Sequence, residues 1–135
     1  MKLEYGNAND LLFSIFPEIK AAHDNDSKFW DYECEDKCHM LYSIEFTPYI
    51  LNQLYENNEQ ELKKIFDFVE MLMSSDDGDL VNLAETSIIE SLYFDHVCDT
   101  HKAVLIKYCG KLTMHSFIDC LDDEEKAGWE KRKAA

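Results

Sequence analysis

The sequence predicts an all-α fold: an array or bundle of about six or seven short amphipathic helices forming one domain over residues 1–125, with a charged tail over 126–135. Three observations carry this. Apolar residues recur at helical spacings of three, four and seven from Leu11 to Leu121. Only 4 Gly and 2 Pro occur in 135 residues, too few turn signals for a sandwich or barrel of short strands. The chain is 46% hydrophobic and 13% aromatic, enough apolar material for a core.

The first stripe is Leu11, Leu12, Ile15 and Ile19, with Asp10 as the expected N-cap. Pro17 lacks an N–H and suits a first-turn position, so two short helices should meet at Phe16-Pro17, the second fading at residues 24–26. Residues 24–39, DNDSKFWDYECEDKCH, have no clean period and read as a long loop, or a loop with one short helical turn. In MLYSIEF, Tyr42, Ile44 and Phe46 alternate with polar neighbours, which predicts one extended segment near 40–46. Thr47-Pro48 reads as N-cap and N1 of a helix lined by Ile50, Leu51, Leu54 and Tyr55. Asn57-Asn58 should stop it, with Asn58 capping the next helix and Glu61 completing a capping box. Leu62, Ile65, Phe66, Val69, Leu72 and Met73 form the clearest amphipathic face in the chain. Gly78 is expected in a left-handed turn, with Asp79 capping a helix whose stripe is Leu80, Leu83, Ala84, Ser87, Ile88, Ser91 and Leu92. Asp99 is a candidate cap for Val104, Leu105 and Tyr108. Gly110 punctuates, and Met114, Phe117, Ile118 and Leu121 form the last stripe. The helices from 48 to 121 suggest HEAT-like antiparallel pairs, although no repeat of fixed length is present.

Charge is the dominant global property. There are 28 acids against 13 bases, a net charge of −15. Such a surface repels nucleic-acid phosphates and anionic lipid, and it attracts basic proteins. No run approaches the roughly 20 apolar residues of a membrane span, and MKLEYGNAND has no apolar secretion segment. A cytoplasmic location with reduced cysteines is therefore expected.

Chemistry-bearing residues are present without a strong constellation. Cys34, Cys38 and His39 supply one pair of plausible zinc spacing, and His96, Cys98 and His101 hold further donors. Neither half has the glycine-bearing knuckle of zinc ribbons, so no metal and no cofactor is expected. Glu33, Glu35 and Asp36 disfavour a Cys34 thiolate, which argues against a nucleophile. The acids lie in loops and at helix ends, not in the apolar concavity that general acid–base pairs need. No catalytic residue is assigned, and enzymatic activity is not expected.

What remains is a surface. Asp26, Asp31, Glu33, Glu35 and Asp36 surround Trp30 and Tyr32, and Asp76, Asp77 and Asp79 form a second acidic cluster. Acids steer a basic partner, and aromatics anchor it once water is excluded. The alternative is that Trp30 packs into the core and the acids are merely solvated.

At LFSIFPEIK, FTPYILNQLYENNEQELKKIFDFVEML and LVNLAETSIIESL the chain resembles small helical bacterial proteins of the immunity type, from polymorphic toxin and contact-dependent growth inhibition systems. The resemblance spans roughly residues 10–120 and rests on packing motifs. It implies a cognate basic toxin domain, often a nuclease, neutralised by a tight acidic partner. Expected partners are thus that toxin domain, with no direct nucleic acid and no membrane. The competing expectation is a small helical scaffold or regulatory subunit that binds through an apolar groove.

Overall fold

In the computed structural model, residues 3–25, 39, 41–94 and 107–119 are described. All regular structure among them is helical. A 3-10 turn at Tyr5–Asn7 leads into α1 (Ala8–Ile15), and α2 (Pro17–Asn25) follows. A π-helical segment, π1 (Tyr42–Phe46), runs directly into α3 (Thr47–Glu56). Then come α4 (Glu59–Met73), α5 (Gly78–Ala84), a second π-helical segment, π2 (Glu85–Glu90), and α6 (Ser91–Phe94). The last described helix is α7 (Lys111–Asp119).

Consecutive helices pack on one another: α1 on α2, α3 on α4, α4 on α5. Several packings join distant parts of the chain, among them π1 on π2, α7 on α4, α7 on π2 and α3 on α6. The junction at Phe16 forms as the sequence predicts. Phe16 closes α1 by donating its N–H to Leu12 O, and Pro17 begins α2. Phe16 itself is fully buried, within 5.1 Å of the Phe46 ring and 5.6 Å of Phe68. Tyr42 joins this aromatic cluster edge-on to Phe46 and donates its hydroxyl to the Ala8 carbonyl at 2.7 Å. One buried ring system thereby ties α1, π1 and α4 together, and each such pair adds about 0.5–1.5 kcal/mol beyond area burial.

The expected faces of α4 and of α5–π2 are buried, including Leu62, Ile65, Phe66, Val69, Leu72, Leu80, Leu83 and Ile88. Asn57 ends α3 with φ 54°, the left-handed conformation that asparagine tolerates. Asn58 then caps α4, accepting the Glu61 N–H at 3.4 Å.

The structure corrects the reading in several places. The extended segment near 40–46 is helical. Tyr42 and Phe46, four apart, are both buried, whereas Ile44, which the alternation placed beside them, is 46% exposed. Thr47 does not cap α3, because the helix already runs through it from π1. Its hydroxyl is shared instead between Tyr42 O at 3.0 Å and Ser87 O at 2.8 Å. Pro48 follows at once, with no N–H to offer the ladder, and the wide π turn lies immediately ahead of it. The capping box at Asn58 is only half formed. The Glu61 carboxylate accepts from the Tyr49 hydroxyl at 2.6 Å, and the Asn58 N–H goes to Gln53 O.

Asp10 lies inside the first turn of α1, where it complements the helix dipole without capping. Gly78 is the first residue of α5 and has no positive φ. Asp77 is the cap there, accepting the Asp79 N–H at 3.0 Å. Asp79, expected as the cap, is the residue capped.

Candidate functional site

Two π-helical segments in so short a chain single out their surroundings, because π turns concentrate at functional sites. Where they face each other, a polar seam runs through the apolar core. Ser87, buried, is within 2.8 Å of His39 Nδ1, and Thr86 Oγ1 lies 3.3 Å from the same nitrogen. The Ser43 hydroxyl donates to His39 O, and the Ser91 hydroxyl donates to Thr86 O, five residues back. These bonds satisfy polar groups that the wide π turns leave in the interior. Ser87 is 3% exposed, so its pairing with His39 lies within the packed seam.

On its outer side, π2 forms one wall of a half-open groove of about 400 Å³. Val81, Glu85 and Glu90 come from α5 and π2, Met73 from the end of α4, and Leu112, His115, Ser116 and Asp119 from α7. The spacing explains the membership. On α7 the residues sit at i, i+3, i+4 and i+7, one helical face. On the opposite wall Val81 and Glu85 are four apart, and Glu85 and Glu90 are five apart. In an α-helix a spacing of five carries a side chain well off the face, whereas a π turn brings it back into line. The π segment is what places both residues on the same wall of the groove.

The α7 wall is fixed by an unusual clasp. The Glu70 carboxylate, from α4, accepts the N–H groups of Leu112 at 2.6 Å and Thr113 at 3.0 Å. It thus caps α7 from another helix, with negative charge at the positive end of the dipole. Gly110 is required for the approach, because a Cβ there would fall on the Glu70 side chain.

Apolar and acidic residues share the lining of the groove. Leu112 is among the few exposed large hydrophobics of the described residues, 43% accessible. Glu85 and Glu90 have no ion pair among the described residues. Asp119 has only the His115 ring, 3.5 Å away. The described lysines, by contrast, are largely engaged: Lys20 with Asp24, Lys63 with Asp67, Lys64 with Glu61, and Lys107 with Glu59.

Of the acids singled out in the sequence, Asp76 and Asp77 fall on the link between α4 and α5, and Asp79 in the first turn of α5. Asp76 and Asp79 are exposed, whereas Asp77 is committed internally. Besides capping α5, Asp77 accepts the Tyr5 N–H at 2.8 Å and so ties the N-terminal turn to α5. That hydrogen bond, with those from Asp79 and Leu80, holds its carboxyl below the usual carboxylate range, against a smaller opposing effect of burial. Asp26, Trp30, Asp31, Tyr32, Glu33, Glu35 and Asp36 lie outside the described residues, as do Cys34, Cys38, His96, Cys98 and His101. His39, the remaining zinc candidate, has its Nδ1 turned to Ser87 and Thr86.

Elsewhere, His23 Nδ1 meets Glu45 at 2.8 Å, joining α2 to π1. The Tyr49 hydroxyl donates to Glu61 and Glu18, and burial followed by these carboxylates pushes its pKa above the ordinary phenol value. Both arrangements fasten neighbouring elements together. Among the described residues no helix is long and apolar enough to cross a membrane.

No curated protein and no solved structure matches the chain. A family model described as "Domain of unknown function (DUF7674)" matches residues 9–123, and the chain belongs to that family.

Proposed function

We propose that the protein is an immunity-type inhibitor, which binds a cognate basic toxin domain of the nuclease class and occludes its positively charged cleft. The observation that carries this reading is the uncompensated charge of −15. Most described lysines are already paired with acids, so the surplus carboxylates face solvent and offer a rigid anionic surface. A nuclease cleft built for phosphates is complementary to such a surface, and long-range attraction speeds encounter. The resemblance of the packing motifs to immunity proteins supports the same reading. The mechanism requires no bond to be made or broken: the acidic face occupies the cleft in place of the phosphates. Asp76 and Asp79 are offered as contact residues on the described surface, and Asp26, Trp30, Asp31, Tyr32, Glu33, Glu35 and Asp36 as contacts from the acidic aromatic stretch. Cytoplasmic residence follows for an inhibitor that protects its own cell. The test is to titrate the purified chain against the nuclease toxin domain encoded beside it. Stoichiometric inhibition is expected, and full toxin activity in the presence of excess chain refutes the reading.

A second reading, a helical scaffold or regulatory subunit, draws on a different surface. A shallow groove of about 510 Å³ lies over Ile15, Phe68 and Met71, with Gln60, Lys63, Lys64 and Asp67 around it. Its rim charges neutralise one another, since Lys63 pairs with Asp67 and Lys64 approaches Glu61. Binding there would be insensitive to salt, whereas binding through the acidic surface weakens as salt rises.

A further inference from the structure

We infer that the groove between π2 and α7 is a docking slot for a lysine- or arginine-bearing segment of a basic protein. The inference rests on the inhibitor reading for the partner's class, and on the groove's own construction for the site.

Two independent features define the occupant. The first is the apolar part of the lining. Met73, Val81 and Leu112 present apolar surface in a half-open cavity, and Leu112 stays accessible where the apolar residues at the core-facing positions of α7 are buried. A purely solvated acidic face has no such apolar lining. The second is the acidic part, where Glu85 and Glu90 lack a cationic partner among the described residues and Asp119 has only His115. Lysine and arginine side chains match both, with an aliphatic stem for the apolar residues and a cationic head for the acids. Arginine adds the fork that pairs with carboxylates in bidentate fashion.

The spread of the acids selects among cations. Among the described residues no three His, Cys, Asp or Glu side chains converge closely enough to hold a metal ion. The carboxylates are distributed along two walls, Glu85 and Glu90 on one and Asp119 on the other. That suits an extended segment with several cationic heads better than a point charge. Nucleic acid and anionic lipid are repelled by the same row. The acidic part is also preorganised, because the π turn aligns Glu85 with Glu90 and the Glu70 clasp fixes α7, so little ordering is lost on binding.

The probe is an acetylated octapeptide alternating arginine with leucine, titrated into the 15N-labelled chain at low and at physiological salt. A second octapeptide carries glutamate in place of arginine. Saturable amide shifts are expected at Val81, Glu85, Glu90, Leu112 and Ser116 with the arginine peptide, and none with the glutamate peptide. Glu85→Gln with Glu90→Gln should weaken binding tenfold or more. Glu4→Gln with Glu56→Gln, an equal change of charge on exposed acids outside the groove, should leave it within twofold. Equal weakening by both pairs, shifts scattered over the whole acidic surface, or no binding would each overturn the proposal. The toxin titration separates the two levels. If the chain carrying E85Q and E90Q inhibits as strongly as the wild type, the groove is refuted and the inhibitor reading stands. If the wild type binds the peptide in the groove and fails to inhibit, the inhibitor reading falls and the slot remains.

Discussion

Single residues carry more of this structure than their chemistry advertises. Gly110 matters for what it lacks, since any Cβ would displace the Glu70 carboxylate that caps α7. Gly110→Ala should therefore cost about as much as losing the cap, on the order of 1 kcal/mol. Glu70→Ala should cost a similar amount. Because both act through one carboxylate, their effects should not add, and the double variant should be little worse than either single one. Urea unfolding of the four chains of this cycle measures the coupling; strict additivity would mean that the clasp does not join the two positions.

Asp77 makes a prediction about pH. Its carboxyl is held below the ordinary value of 3.8 by the Tyr5, Asp79 and Leu80 amides. A carboxylate depressed in the folded state stabilises fully above its unfolded pKa, and the contribution is lost as pH falls through the folded value. The stability gap between the wild type and Asp77→Asn should hold from neutrality to about pH 5 and close below about pH 4. Chemical denaturation at a series of pH values reads it, and a gap that widens on acidification would contradict the assignment.

At the scale of elements, the two π segments set the architecture. Thr47 links them, its hydroxyl shared between the Tyr42 and Ser87 carbonyls in the buried seam. Thr47→Val leaves these carbonyls without that donor and should destabilise by roughly 1–3 kcal/mol. Thr113 is the natural contrast. It is equally buried, yet its hydroxyl oxygen has no partner among the described residues. Thr113→Val removes an unsatisfied group without changing shape and should be neutral or stabilising by up to about 1 kcal/mol. Thermal denaturation of the two variants side by side decides the matter; equal losses would mean that the seam has no special role.

The helices were legible in the sequence where apolar spacing was strong. The faces of Leu62–Met73 and Leu80–Leu92, the break at Phe16-Pro17 and the stop at Asn57 all follow from side-chain period and turn chemistry. The π segments were not legible, for a physical reason. Adding one residue to a turn leaves no clear mark in the apolar spacing, and in Tyr42–Phe46 the exposed Ile44 between two buried residues four apart imitates the alternation of a strand. The groove was hidden for the same reason. Glu85 and Glu90 look like unrelated positions on an α-helix, and only the wide turn lines them up. The Glu70 clasp joins positions 42 apart, and nothing local announces it. The one signal available was Gly110, readable as punctuation but not as room for a carboxylate.

For the whole molecule, charge decides behaviour. A net charge of −15 on a 135-residue chain keeps copies apart and strains the folded state by self-repulsion. Added salt should therefore stabilise the free protein while weakening its hold on a basic partner, opposite responses with one cause. The most direct measurement of the central claim is inhibition of the proposed nuclease toxin domain by the purified chain, followed at rising sodium chloride. The account predicts stoichiometric inhibition at low salt, with an association rate that falls steeply as salt rises. Inhibition that is absent, or present with an association rate indifferent to salt, would contradict it.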